Sequence, residues 1–130
     1  MFDKFFPDRY VASTYVIDFE GLYKEGVRGL IFDIDNTLVP HGAPADERAR
    51  ALFKRLKSIG FRCCLISNNQ KPRVEMFNKD IQVDYVYNAH KPSIRNYLKA
   101  MEIMGTDRES TVFIGDQLFT DVWGAKRAGI

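Results

Sequence analysis

Residues 30–40 read LIFDIDNTLVP, and the fold depends on how this stretch is parsed. Leu30, Ile31 and Phe32 continue the apolar start of VRGLIFD into a short strand that ends at Asp33. A strand with no polar alternation is covered on both faces, as in a parallel sheet. A second acid, Asp35, and the turn-forming Asn36 follow at once. Two carboxylates at a strand end make either a turn or a site, and the rest of the chain decides between them.

Upstream, DFEGLYKEG predicts a short helix with Asp18 as its cap and Gly26 as its stop. Downstream, residues 44–59 put Leu52, Leu56 and Ile59 at helical spacing, with Phe53 widening the stripe and Gly60 ending it. FRCCLIS is a second apolar strand finishing at Ser67, and residues 73–79 predict a shorter helix with Val74 and Phe77 on one side. VDYVYNA predicts a third strand. In KPSIRNYLKAMEIMG, Ile94, Leu98 and Met101 recur at i, i+4 and i+7, which predicts a helix stopped by Gly105. STVFIGD predicts a fourth strand ending at Asp116, and TDVWGAKRAG opens another helix. Strands alternating with helices imply an α/β layered fold with a mainly parallel sheet.

The 130 residues suffice for one compact domain. Hydrophobic content of 45% separates the chain from disordered proteins. A net charge of +2 from scattered acids and bases predicts neither a nucleic-acid surface nor an acidic partner. No apolar stretch approaches the ~20 residues of a membrane-spanning helix. MFDKFFPDRY also lacks the apolar core of a secretory signal. Its rings, Phe2, Phe5, Phe6 and Tyr10, either pack on the domain's own surface or anchor it at a membrane or partner. Cys63 and Cys64 are adjacent and cannot staple distant segments. Within an apolar run they read as small hydrophobes, and a reducing cytoplasm is the expected location.

In a parallel sheet the strand ends Asp33, Ser67 and Asp116 share one edge, with Lys91 just past the third strand. Ligands bind beyond such carboxyl ends. Asp33 and Asp35, with Asp116 and Asp121 from another loop, suit a hard divalent cation such as Mg²⁺, which prefers oxygen donors. One aspartate can then attack a phosphoryl group. The acid two residues on can protonate the leaving oxygen and later deprotonate water, a role that requires a pKa above the ~3.9 of a free Asp. Ser67 offers a hydroxyl to a phosphoryl oxygen, and Lys91 a point charge to the same group. Singly these are ordinary features: D-x-D occurs in turns, Ser67 fits a helix cap, and Lys-Pro opens helices. Their order and their placement at successive strand ends point to a site. His41 and His90 flank the same loops and read as surface residues before substrate contacts.

DIDNT, SNN, KPS and GDQLFTD, in that order, resemble the four motifs of the haloacid dehalogenase (HAD) superfamily of phosphatases, over residues 29–130. The resemblance implies a three-layer, Rossmann-like α/β fold and a Mg²⁺-dependent phosphomonoester hydrolase. It implies that Asp33 is the nucleophile and a metal ligand, and that Asp35 is the general acid/base whose backbone carbonyl also binds the metal. Ser67 and Lys91 match the phosphate-holding pair, with Asn68 beside them. Asp116 matches the third metal ligand and Asp121 an outer-shell acid. An Asp at position 35 resembles the phosphatase and phosphotransferase branches rather than the dehalogenases. FPDRYVAST, SNNQKPRVE and IGDQLFTDV further resemble the YqeG-type phosphatases of subfamily IIIA, which are similar to the mitochondrial phosphatidylglycerophosphatases. That implies a lipid phosphomonoester, phosphatidylglycerophosphate, met at the membrane periphery. Arg73 is then a candidate second phosphate or headgroup contact, against a solvated helix residue.

Between Asp33 and Ser67 one helix and one strand consume the chain, and Ser67 to Lys91 is as tight. The spacing therefore predicts a capless, open site, suited to lipid, macromolecular or surface-presented phosphates; an oligomer could still lend a lid. The expected organisation is one domain over residues 1–130, with residues 1–28 as an N-terminal arm and short helix. The family's fold continues past its fourth motif, so a chain ending in AGI is expected to lack the C-terminal strand. The competing readings are a phosphatase of a soluble protein, sugar or nucleotide phosphate, and a phosphate- or metal-binding module without turnover. Asp35 argues against the module, which has no need of an acid/base.

Overall fold

The computed structural model describes residues 14–87, 94–115 and 119–121. Its elements are α1 (Phe19–Lys24), β1 (Gly29–Phe32), α2 (Glu47–Ile59), β2 (Arg62–Ile66), α3 (Lys71–Asn78), β3 (Asp84–Val86), α4 (Ile94–Met104), β4 (Thr111–Ile114) and β5 (Phe119–Asp121). They form one sheet in the order β3-β2-β1-β4-β5. The first four strands are parallel, and β5 pairs antiparallel with β4. From β1 the chain steps outward to β2 and β3, then returns to lay β4 on the other side of β1. That reversal creates a topological switch point between the carboxyl ends of β1 and β4.

Side chains alternate faces along a strand, and the two faces carry separate clusters. Leu30 and Phe32 of β1 and Leu65 of β2 join Phe19 of α1, Leu52, Phe53 and Leu56 of α2, and Val74 and Phe77 of α3. Ile31, Cys64, Ile66 and Val86 face the other way, onto Ala100 and Met104 of α4. β1 is buried at all four positions, which is what its unbroken apolar sequence predicts. Three layers result, with the sheet in the middle. Cys63 and Cys64 are free, buried thiols. Burial pushes both up to about 12, helped by the neighbouring Cys64 for the first and by Asp84 for the second, so both stay protonated. No helix among the described residues is long and apolar enough to cross a membrane.

Helix ends follow capping chemistry. The Asp18 carboxylate accepts the Gly21 N–H at 3.0 Å, and Gly26 closes that turn at φ +105°. α2 starts at Glu47 rather than residue 44, because Asp46 is the cap: its Oδ1 accepts the Ala49 N–H at 2.8 Å. Asp46→Ala is expected to cost about 1 kcal/mol, read as a lower urea midpoint at constant slope. An unmoved midpoint would show that water replaces the carboxylate without penalty. α3 starts at Lys71, two residues before the expected 73, since Pro72 has no N–H to lose in a first turn.

Two expectations are corrected. The buried face of α4 is Ala100, Met101 and Met104, whereas Ile94 and Leu98 are 56% and 49% exposed. Of the proposed stripe only Met101 packs inward, because the small Ala100 marks where the helix rests closely on the sheet. Thr120 and Asp121, expected to open a helix, belong to β5, where their backbone groups pair with Phe113 and Val112 of β4. The remainder of that segment, residues 122–130, lies outside the described residues, as do Phe2, Phe5, Phe6 and Tyr10.

Candidate active site

Asp33 follows directly on β1, and its N–H donates to the Ile114 carbonyl of β4 at 3.0 Å. Ser67 holds the same place after β2, donating its N–H to the Val86 carbonyl of β3 at 3.0 Å. Parallel register thus delivers both strand ends to one edge. Asp33, Asp35, Ser67 and Asn68 line a cleft of about 450 Å³, together with Asn36, His41 and Asn69. Ser67 is buried, while the two aspartates are half-buried.

The loop after Asp33 closes on itself. The Ile34 carbonyl accepts the N–H groups of Thr37 and Leu38 at 3.2 and 3.0 Å. Asn36 sits at φ +60°, a left-handed conformation that asparagine tolerates better than most residues. Leu38 and Val39, fully buried, fasten the far side of the turn. Tyr15 ties it from the N-terminal side, its hydroxyl donating to the Leu38 carbonyl at 2.8 Å. The guanidinium of Arg48 lies 4.3 Å from the centre of that ring. Burial, then Asp46, pushes the Tyr15 phenol up, so it remains a donor at any ordinary pH.

On the β4 side the backbone passes very near Asp33. A Cβ on Gly115 would lie 3.2 Å from Asp33 Oδ2 and 2.7 Å from Cε2 of Phe113. Only glycine permits that approach, and Asp116 is the next residue in the chain.

The Asp35 carboxylate takes donors on both oxygens. Its Oδ1 accepts the Gly42 N–H and an Nη2–H of Arg73, each at 2.7 Å, and its Oδ2 accepts Nδ2–H of Asn69 at 3.1 Å. Gly42 reaches it from a left-handed turn at φ +79°. His41 Nδ1 is 3.9 Å away on a side chain that is 77% exposed. Burial works to raise the Asp35 pKa, yet the Gly42 N–H and the Arg73 guanidinium outweigh it and leave the group below the ordinary aspartate value. A raised pKa, expected for a proton donor, is therefore not what the protein's own groups produce, because they stabilise the carboxylate.

Asp33, Asp35, Ser67 and Asn68 are thus together on one cleft. Arg73 is adjacent, but its guanidinium is on Asp35 and is not part of the cleft lining. Lys91, His90 and Asp116 lie outside the described residues, and of Asp121 only the backbone, in β5, is described. Two groups escaped the sequence reading. Gly42 gave no signal beyond an ordinary turn residue. Asn69 did: SNN doubles the asparagine, and the second one bridges the site, its N–H donating to Ser67 Oγ at 3.0 Å and its amide to Asp35.

Among the described residues no three acids, histidines or cysteines gather closely enough to hold a metal. The carboxylates at hand are those of Asp33 and Asp35, which line the cleft, whereas Asp116 lies outside the described residues. An all-oxygen set of this kind fits Mg²⁺ rather than a softer metal.

A family model for haloacid dehalogenase-like hydrolases matches residues 41–129. That match starts beyond Asp33 and Asp35, so the reading of these two acids rests on the geometry above. The chain is 38% identical over 131 residues to a Bacillus subtilis (strain 168) protein described as "Probable phosphatase YqeG", covering 99% of this chain and 76% of that one. It is 23% identical over 91 residues to the glyceraldehyde 3-phosphate phosphatase of Pyrococcus abyssi (strain GE5 / Orsay), covering 63% of this chain and 38% of the relative. Two solved structures share the fold. One, from Vibrio cholerae, is provisionally described as a 3-deoxy-D-manno-octulosonate 8-phosphate phosphatase (TM-score 0.59, 20% identity, 75% of this chain and 62% of that one). The other is provisionally described as a HAD family hydrolase of Streptomyces avermitilis MA-4680 (TM-score 0.53, 13% identity, 68% and 60%).

Proposed function

The chain belongs to the haloacid dehalogenase-like hydrolase family, and from that premise we propose that it is a Mg²⁺-dependent phosphomonoesterase working through an aspartyl phosphate on Asp33. The observation that carries the reading is the convergence of Asp33, Asp35 and Ser67 on one cleft at the carboxyl ends of the adjacent strands β1 and β2. The Asp33 carboxylate attacks phosphorus, the bond to the ester oxygen breaks, and Asp35 gives that oxygen its proton. Water then attacks the phosphoryl group on Asp33 and loses a proton to Asp35, releasing phosphate and restoring both acids. The negative charge of an incoming phosphate beside Asp35 works against the Gly42 and Arg73 donors and lifts its pKa toward the value a donor needs. Ser67 accepts the Asn69 N–H at its oxygen, which leaves its own O–H to donate to a phosphoryl oxygen. Asn68 and Lys91 complete the phosphate-holding set, and Asp121 is an outer-shell acid. Mg²⁺, held by Asp33, the Asp35 carbonyl and Asp116, supplies charge neutralisation at the phosphoryl group.

The cleft lining is mainly polar, with Ile34 its one apolar side chain among the described residues. Such a lining recognises a phosphate and little of the alcohol behind it, which supports a capless site serving a surface-presented ester. With the resemblance to the phosphatidylglycerophosphatases, this makes phosphatidylglycerophosphate, met by the protein at the membrane periphery, the proposed substrate.

Phosphate release from phosphatidylglycerophosphate in micelles, and from soluble sugar, nucleotide and peptide phosphates, tests both levels. Chelating Mg²⁺ is expected to lower turnover by at least on the order of 10²-fold, with recovery on adding the metal back. Turnover of the lipid alone would support the whole proposal. Turnover spread over soluble esters would keep the mechanism and remove the lipid, and silence from a folded chain would favour a binding module.

A further inference from the structure

Arg55–Glu20 and Arg62–Asp84 pair on the surface, with every side chain between 45% and 59% exposed. Arg73–Asp35 pairs inside, at 2.7 Å, with the two side chains 11% and 17% exposed. A part-buried pair adds little stability, because both ions give up water. Here the arginine is not even fully satisfied: its Nε is buried with no acceptor among the described residues. The geometry serves the aspartate instead. Arg73 projects from the first turn of α3, the helix that begins just past the Ser67–Asn69 loop, and it reaches Asp35 from outside the cleft lining. Asn69 completes the hold from that loop itself. With Gly42 on Oδ1 beside Arg73, and Asn69 on Oδ2, donors from three separate segments fix the plane of the carboxylate.

We propose that Arg73 and Asn69 are positioning residues that aim the Asp35 carboxyl at the leaving oxygen, which fits the enzyme to alkyl phosphates. The inference rests on the phosphatase reading above. A misaimed proton donor costs rate only on a step that needs its proton. An alcohol as acidic as 4-nitrophenol departs as the anion with little help. A primary alkyl alcohol, the kind esterified in lipid and sugar phosphates, must receive the proton as its bond to phosphorus breaks.

The test measures kcat/KM, which reports the steps through the first irreversible one, on 4-nitrophenyl phosphate and on an n-alkyl phosphate. For Arg73→Met the alkyl-to-aryl ratio is expected to fall on the order of 10²-fold, through kcat rather than KM. Arg73→Lys, which returns a cation to Asp35, should recover much of the ratio. Asp35→Asn should lower it as well, and the double variant no further. An equal fall on both esters makes Arg73 merely structural. A rise in KM on both with kcat kept makes it a substrate contact. Either result overturns the aiming role and leaves the phosphatase reading standing, whereas a wild type that cleaves neither these esters nor phosphatidylglycerophosphate overturns both. A second readout needs no turnover. The Nη–H resonances of Arg73 should be resolved in wild type, where a fixed partner stops guanidinium rotation, and collapsed in Asp35→Asn. Collapsed resonances in the wild type sink the proposal whatever the activities.

Discussion

Asparagine in place of Asp33 will end phosphate release from a chain that still folds. The substitution keeps the size of a half-buried side chain and removes its charge. Loss of a nucleophile that works in concert with an acid/base lowers kcat by on the order of 10⁴-fold or more. The thermal midpoint should hold or rise, because Asp33 lies in the same cleft as a second carboxylate, Asp35. Acid quenching during turnover of a radiolabelled ester should trap phosphate covalently on the wild type and none on Asp33→Asn. Label retained by the variant would move the nucleophile elsewhere, and activity retained without label would replace the covalent mechanism by direct attack of water.

The largest structural effect is expected one residue earlier. Phe32 is fully buried, its ring centre 5.1 Å from that of Phe53 and 6.3 Å from that of Phe19. It therefore joins β1 to both α1 and α2. Phe32→Ala should cost about 3–5 kcal/mol, a large part of the 5–15 kcal/mol typical of a whole domain. The midpoint should drop by roughly 10–20 °C for a chain of this size, measured by calorimetry or circular dichroism. A cost below about 1.5 kcal/mol would mean that the helical layer collapses onto the vacated space. Because Phe32 ends β1 and Asp33 follows it directly, kcat/KM should also fall well below the melting range.

What the sequence makes legible, and what it hides, divides along physical lines. β1 is an unbroken apolar run, and β2 and β4 are apolar after their first residues, Arg62 and Thr111, a pattern that burial on both faces satisfies. Glycines and caps mark the ends of α1 and α2 because backbone geometry and orphan N–H groups are local needs. The face of α4 was hidden, since large residues at helical spacing look inward while a small Ala100 decides how closely the helix sits. The second edge of β4 was hidden too: a three-residue strand has no periodicity to read, and β5 exists through its partner. At the site, residue types told which groups could act. They could not tell that Arg73 spends its charge on Asp35, because that contact joins positions 38 residues apart through the packing of a helix against a loop.

The Tyr15 hydroxyl on the Leu38 carbonyl gives the N-terminal segment a mechanical grip on the turn that carries Asp35. Tension or slack applied at residue 15 reaches that turn without passing through the sheet. Phenylalanine in place of Tyr15 cuts that tether alone, and its effect belongs in the kinetics before it shows in the melting curve.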